Sequence, residues 1–164
     1  MNTLLEKTKE HCQQLLSQSR CSELAFHNGE HTKEVFASAK KIGTYVNLSQ
    51  EELEIVLLAA LFHDTGNSDC FKGHEDISAR KASDYLTQLN FDKEKIEQVV
   101  KCILATKMPQ SPSNLLEQVI CDADLAHLGK ENFISKNRLL REEWSEHLKM
   151  CFSNREWVKL NIEF

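Results

Sequence analysis

The chain has 164 residues, of which 41% are hydrophobic, and its formal net charge is −5 at pH 7. A chain of this length and apolar content can bury a core without disulfide or metal staples, which predicts one globular domain, residues 1–164. Because the chain is net negative and has no basic stripe, it would repel an extended phosphate backbone. This argues against a nucleic-acid polymer as partner but leaves room for a small phosphorylated molecule in a pocket.

The cysteine pattern and the length of the apolar runs indicate in which cellular compartment the protein is expected. The six cysteines are scattered without a CxxC motif, which is typical of reduced thiols: Cys12, Cys21, Cys70, Cys102, Cys121 and Cys151. The first residues, "MNTLLEKTKEHC", alternate charged residues with leucine and lack the apolar segment of a secretory signal. No apolar run approaches the ~20 residues that cross a bilayer. We therefore expect a cytoplasmic protein without a membrane partner.

The first stretch that carries chemistry is "FHNGEH", residues 26–31, which places two histidines four residues apart. It precedes a segment with helical periodicity, about residues 30–46. On that helix His31 lies in line with an apolar row, formed by Val35, Ala39, Ile42 and Val46. The row predicts that His31 faces the core, either as a hydrogen-bonded structural residue or as a metal ligand.

The next helix carries the most strongly apolar pattern in the chain. Its i, i+3, i+4, i+7, i+8 stripe follows the cap-like "LSQEE" and consists of Leu53, Val56, Leu57, Ala60 and Leu61. The helix runs into "LFHDTGN", so His63 and Asp64 should lie at its C-terminal end. A buried carboxylate beside an imidazole is costly unless it is paired. Either a divalent cation or a cap on the helix dipole would satisfy the pair.

The remaining segments are also helical in period. Apolar stripes cover about residues 74–90, 96–104, 113–128 and 132–150, and alternating strand patterns are not found. The two prolines lie in "KMPQSPSN", which reads as a loop with Ser113 or Asn114 capping the helix that follows. The sequence thus predicts an all-α domain of about six to eight helices.

Two acids interrupt the apolar pattern of the 113–128 segment, in "ICDADLAHLG". Helical projection puts Asp122 and Asp124 at opposite edges of the apolar stripe. Periodicity therefore leaves open which of the two acids points inward.

These pieces together resemble the HD superfamily of metal-dependent phosphohydrolases, and within it the small stand-alone bacterial HD hydrolases. The resemblance covers about residues 24–157. It is carried by four pieces in order, "FHNGEHTKEV", "LLAALFHDTGN", "GHEDISARKASDYL" and "EQVICDADLAHLG". Each piece alone is degenerate, but four in order with helices between them are specific. The fold implied is a single HD-domain helical bundle.

The resemblance implies the ligands of a divalent metal ion. In the family the last ligand is the aspartate of an alanine-aspartate pair, which falls on Asp124 and leaves Asp122 either behind the ligands or on the helix face. The implied metal set is His31, His63, Asp64 and Asp124, and the ion is manganese, iron, magnesium, nickel, cobalt or zinc. In two-metal members a histidine such as His74 helps to hold a second ion, bridged by the aspartate. The additional downstream histidines are not evident here, since Thr106 and Lys107 occupy the segment where one is expected. One firmly held ion is therefore implied, and a weaker second ion is possible.

The implied activity is hydrolysis of a phosphate ester of a small phosphorylated molecule or nucleotide, with water activated by the ion held through Asp64 and its partners. By likeness to cyclic-nucleotide phosphodiesterases, His27 is the acid that protonates the leaving oxygen; the alternative is a helix-entry residue bonded to the backbone. Candidate phosphate contacts are Lys72, His74 and Lys107, with Arg80 also near the expected rim.

Two other classes of function remain open at this stage. A non-catalytic nucleotide-binding regulator would keep the metal for ligand capture, and turnover across a panel of nucleotides distinguishes it. A di-iron oxygenase of the HD fold would need the fuller histidine set, which counts against it here. Two tightly bound irons with oxygen uptake would favour the oxygenase.

Overall fold

A computed structural model describes residues 3–163 of the chain, so residues 1, 2 and 164 of the predicted 1–164 domain lie outside the described part. The fold is all-α, as predicted. The described residues form eight α-helices: α1 Thr3–Ser17, α2 Gly29–Tyr45, α3 Gln50–Phe62, α4 His74–Gln88, α5 Lys93–Ala105, α6 Leu115–Asp124, α7 Phe133–His147 and α8 Asn154–Glu163. Three short 3₁₀ turns accompany them, at Arg20–Glu23, Thr65–Ser68 and Ala126–Gly129. Within residues 3–163 there is no strand.

Helix α3 forms the centre of the bundle. All residues from 55 to 62 are buried, so the helix is apolar on every side, and it contacts α1, α2, α5 and α6. Its start is fixed by a capping box in which the Ser49 hydroxyl accepts from the Glu52 N–H while the Glu52 carboxylate accepts from the Ser49 N–H. A helix anchored in this way carries whatever follows Phe62 into the interior, so His63 and Asp64 have a fixed position.

The other predicted helices are also observed, and three of them end earlier than predicted. Helix α4 ends at Gln88, α6 ends at Asp124 before a 3₁₀ turn, and α7 ends at His147. Of the two caps considered for α6, Asn114 is the N-cap, and its side chain accepts from the Glu117 N–H. Helices α1 and α8 were not among the predicted ranges. No helix within residues 3–163 is both long enough and apolar enough to span a membrane.

Candidate metal centre

His31 takes its position from the cap of α2. The side chain of Asn28 accepts hydrogen bonds from the backbone N–H groups of Glu30 and His31, at 3.0 and 3.3 Å. The same side chain donates to the Leu24 carbonyl at 2.9 Å, which ties the cap to the preceding segment. Helix α2 therefore starts at Gly29, and His31 lies in its first turn, buried and directed toward the end of α3.

His63 is the C-cap of α3, and its ring is held in one orientation. Its Nδ1 donates to the Ala60 carbonyl at 2.9 Å, so the free nitrogen of the neutral ring is Nε2. The side chain is only 1% exposed. A nitrogen with its lone pair directed into the interior, on a ring that cannot turn, is the usual arrangement of a metal-binding histidine.

A tight approach between the turn after α3 and the start of α4 brings His74 to the site. A Cβ on Gly66 would lie 1.9 Å from the backbone oxygen of His74, so only glycine permits this contact. The Gly66 N–H also donates to the Ser78 hydroxyl at 2.8 Å. His74 then donates from Nδ1 to the Phe71 carbonyl at 2.8 Å, and its Nε2 lies 3.1 Å from Oδ1 of Asp64.

The last contribution comes from the C-terminal residue of α6. Asp124 Oδ1 lies 3.1 Å from Nε2 of His31 and 3.5 Å from Nε2 of His63. Asp122 is exposed on the other side of the helix. Asp124 is therefore the acid that points into the site, a choice that periodicity alone left open.

The two imidazoles and two carboxylates converge on one point. Ligand atoms of His31, His63 and Asp124 lie within 4.8 Å of one another, and Oδ2 of Asp64 is 3.5 and 3.3 Å from the two imidazole Nε2 atoms. Within residues 3–163, neither Nε2 of His63 nor Oδ2 of Asp64 has a hydrogen-bond partner, although both are buried. Buried polar atoms are rarely left in this state without an ion or water to bind. A set of two imidazole nitrogens and two carboxylates fits a divalent transition metal.

The electrostatics of the cluster keep its carboxylates ionised. Burial disfavours the charge on Asp64, but the neighbouring imidazoles of His63 and His27 hold its pKa well below the usual range. Burial also disfavours the charge on Asp124, but the hydrogen bond from His31 and the nearby imidazole of His63 hold its pKa low. Burial disfavours the imidazolium of His63, yet Asp64 and Asp124 raise its pKa well above the ordinary value. Two carboxylates that stay negative in a buried site are prepared to bind a cation.

His27 is paired with a residue that the sequence did not indicate. Glu143 of α7 is fully buried, and its Oε2 accepts from the backbone N–H groups of Phe26 and His27, at 2.7 and 2.9 Å. Its Oε1 accepts from Nδ1 of His27. Burial opposes both charges, but Asp64 and Glu143 raise the pKa of His27, and His27 lowers the pKa of Glu143. Nε2 of His27 is the ring nitrogen left for a ligand.

A cavity of about 310 Å³ opens beside the metal cluster. Its lining comprises Phe26, His27, Asp64, His74, Glu75, Thr106, Met108, Asp124, Leu125, His127, Leu128, Asn137, Leu140, Trp144, Trp157, Leu160 and Asn161. The C-terminal helices were expected to contribute to specificity, but the residues of α7 and α8 in this wall could not be named from the sequence, because no spacing in those segments carries a chemical signal.

The predicted phosphate contacts are only partly at this cavity. His74 lines it, whereas Lys72 is exposed outside the lining. Lys107 is also outside, because its Nζ is drawn to Asp76, at 3.2 Å. Neither lysine lines the cavity, so their contact with substrate stays a prediction. Arg80 is exposed on α4 and does not line the cavity either.

A comparison with protein-family models matches residues 28–128 to the HD domain, which is well over half of the chain. The matched segment contains all four residues that converge on the cluster. His27 lies just before this segment, and Glu143 lies beyond it. No curated protein and no solved structure matches the chain.

Proposed function

This chain belongs to the HD-domain family, and from that membership we propose that it is a metal-dependent phosphohydrolase acting on a small phosphorylated molecule or nucleotide. One observation carries the proposal: two imidazoles and two carboxylates converge beside a cavity, and within the described part of the chain the buried Nε2 of His63 and Oδ2 of Asp64 have no hydrogen-bond partner. Among the residues of the cluster, Asp64 and Asp124 also line the cavity, so a bound substrate would contact the same centre.

The proposed ligands of the ion are His31, His63, Asp64 and Asp124. A divalent ion held there would polarise a phosphoryl oxygen and make bound water a better nucleophile. We propose one firmly held ion. Nε2 of His74 lies 3.1 Å from Oδ1 of Asp64. The same nitrogen is the one that would contact a weaker second ion or a substrate phosphate oxygen.

His27 is the proposed proton donor. Its Nδ1 is engaged by the Glu143 carboxylate, which favours the imidazolium and leaves Nε2–H free for the substrate. In the reaction the oxygen of water bonds to phosphorus while the ester P–O bond breaks. The leaving oxygen takes the proton of His27, and the proton released from water returns the histidine to its acid form.

A panel of phosphate monoesters and nucleotides, assayed by phosphate release with several divalent ions, tests the proposal. Protein stripped with a chelator should be inactive, and adding back the ion should restore turnover. Metal and ligand binding without turnover across the panel would instead support a nucleotide-binding regulator. Two tightly bound irons with oxygen uptake would support the oxygenase.

A further inference from the structure

The part of the cavity wall that lies outside the family match has its own chemistry. Helices α7 and α8, beyond residue 128, contribute an asparagine pair, two tryptophans and two leucines to the lining. The family segment supplies the metal cluster. The group attached to the phosphate would therefore be recognised by side chains that belong to this chain's C-terminal segment.

The cavity has no cation to hold a second anionic group. Three carboxylates line it, those of Asp64, Glu75 and Asp124, and within residues 3–163 no lysine or arginine does. With one divalent ion and His27 as the imidazolium, the three carboxylates bring the formal charge of the lining to about zero. Once the reacting phosphate occupies the site, a second phosphate or a carboxylate buried against this wall would have no cation to pair with, which is expensive.

Three basic residues on the adjoining segments are already engaged. Lys81 pairs with Asp69, and Lys107 pairs with Asp76. The Arg141 guanidinium donates to the Phe152 carbonyl and to the Asn154 side chain. None of these cations lines the cavity.

The main polar feature of the C-terminal wall is a pair of amides whose orientation is fixed. The indole N–H of Trp157 donates to Oδ1 of Asn137 at 2.6 Å, and because an indole can only donate, this contact settles which atom of the amide is oxygen. Nδ2 of Asn137 then donates to Oδ1 of Asn161 at 2.5 Å, and Nδ2 of Asn161 donates to the Trp157 carbonyl at 2.7 Å. Each amide keeps one N–H and one acceptor lone pair for a ligand.

The rest of the wall suits a flat apolar group. Both tryptophans of the chain line the cavity, and Trp144 meets Trp157 edge to face, with ring centroids 5.7 Å apart. The volume of about 310 Å³ is at the lower end for ligand pockets, which run from roughly 300 to 1,000 Å³. A group of one or two rings fits this space.

We infer that the cavity selects monophosphate esters of an uncharged, flat group with one amide-like hydrogen-bonding edge, and that Asn137 and Asn161 recognise that edge. The inference rests on the proposed hydrolase function and narrows its substrate class. Esters with a second phosphate or a carboxylate on the attached group are excluded because the lining has no further cation to pair with the second anion.

Three aryl phosphates that differ at one position test the selectivity: phenyl, 4-carbamoylphenyl and 4-carboxyphenyl phosphate. The carbamoyl and carboxyl groups have nearly the same shape, so charge and hydrogen bonding decide between them. We expect kcat/KM for the carbamoyl ester to exceed that for the carboxyl ester at least tenfold, with the phenyl ester between them. Asn161→Leu should lower the carbamoyl-to-phenyl ratio toward the value that the two leaving groups alone would give. The control is Asn132→Leu, which replaces an exposed asparagine just before α7 and should leave that ratio unchanged.

Tryptophan fluorescence gives a readout that needs no turnover, because both indoles report on this cavity. With chelator-treated protein, benzamide should change the emission saturably and benzoate at equal concentration should not. If Asn161→Leu fails to fold, the comparison of benzamide with benzoate on the wild-type protein still tests the selectivity. Equal kcat/KM for the three esters, or benzoate binding as well as benzamide, would overturn the selectivity and leave the hydrolase standing. No hydrolysis of any ester, together with saturable benzamide binding, would instead overturn the hydrolase and with it the phosphomonoester part of the inference.

Discussion

Replacing Glu143 by glutamine removes a buried negative charge while keeping the size of the side chain. The carboxylate accepts two backbone N–H bonds on Oε2 and one imidazole N–H bond on Oε1. Glutamine has a single acceptor oxygen. If that oxygen keeps the two backbone donors, the amide NH₂ faces Nδ1 of His27, which must then give up its proton and accept.

The loss of folding stability in Glu143→Gln can be estimated from these contacts. One hydrogen bond to a charged group is lost, worth ~1.5–3 kcal/mol, so we expect the free energy of unfolding to fall by about 2 kcal/mol. The imidazolium of His27 is disfavoured at the same time. If it is the general acid, the rate on esters with poor leaving groups should fall by about 10²–10⁴.

The stability effect has a defined dependence on pH. Burial disfavours both charged forms, yet the neighbouring carboxylates raise the pKa of His27 above 6.5, and His27 lowers the pKa of Glu143 below 4.5. The raised histidine pKa stabilises the fold below pH 6.5, and this contribution disappears as the pH rises through the folded pKa. The lowered glutamate pKa stabilises it above pH 4.5, and this contribution disappears as the pH falls through the folded pKa. The difference between wild type and Glu143→Gln should therefore be largest between these two values.

Urea unfolding of chelator-treated protein at about pH 5.5 and about pH 9 measures this difference without interference from metal. The matched control is Glu142→Gln, which removes an exposed charge from the adjacent position of the same helix. Equal stability and equal rates in the two variants would refute the pairing of His27 with Glu143.

Three further outcomes are expected. Asp124→Asn should reduce metal affinity and activity far more than Asp122→Asn, because only the inward acid neutralises the ion directly. His27→Ala should keep its metal but lose about 10²–10⁴ in rate, less with a nitrophenyl leaving group, whereas His31→Ala should lose metal and activity on every substrate. Gly66→Ala should destabilise the fold by about 1–3 kcal/mol or more, because the new methyl group meets backbone.

Each of these has a contradicting result. Equal losses in the two aspartate variants would show that the alignment with the family was misleading. Metal loss in His27→Ala with retention in His31→Ala would reverse the two roles. For the glycine the control is Gly129→Ala, where nothing lies within 4 Å of the added methyl; equal unfolding midpoints would refute the close approach at Gly66.

The fold could be predicted from the sequence where capping motifs and apolar periodicity are strong. Helix α3 carries both a capping box and a continuous apolar surface, so its start and its burial were predictable. The position of His63 and Asp64 at its end followed directly. Helix α1 was missed because charged residues interrupt its leucines, and its burial depends on contacts with α3 that are remote in sequence.

The site was predictable only as far as the family pattern reaches. Periodicity could not choose between Asp122 and Asp124, since both lie at edges of the same stripe, and the resemblance supplied the choice. Glu143 gave no signal, because an acid in "LLREEWSEH" looks like a solvated charge and its partner His27 is 116 residues away. The lysine at 107 was expected at the rim from its position in the chain, but its orientation is set by Asp76, 31 residues away.

Metal content of the purified protein tests the central claim most directly. Elemental analysis of wild-type protein should find about one divalent ion per chain, as expected for one site with mixed nitrogen and oxygen ligands. The variants His63→Ala and Asp64→Ala should lose that ion, because each removes a buried donor of the cluster. Full occupancy in both variants, or wild-type protein that takes up no divalent ion from a metal-supplemented buffer, would contradict the account.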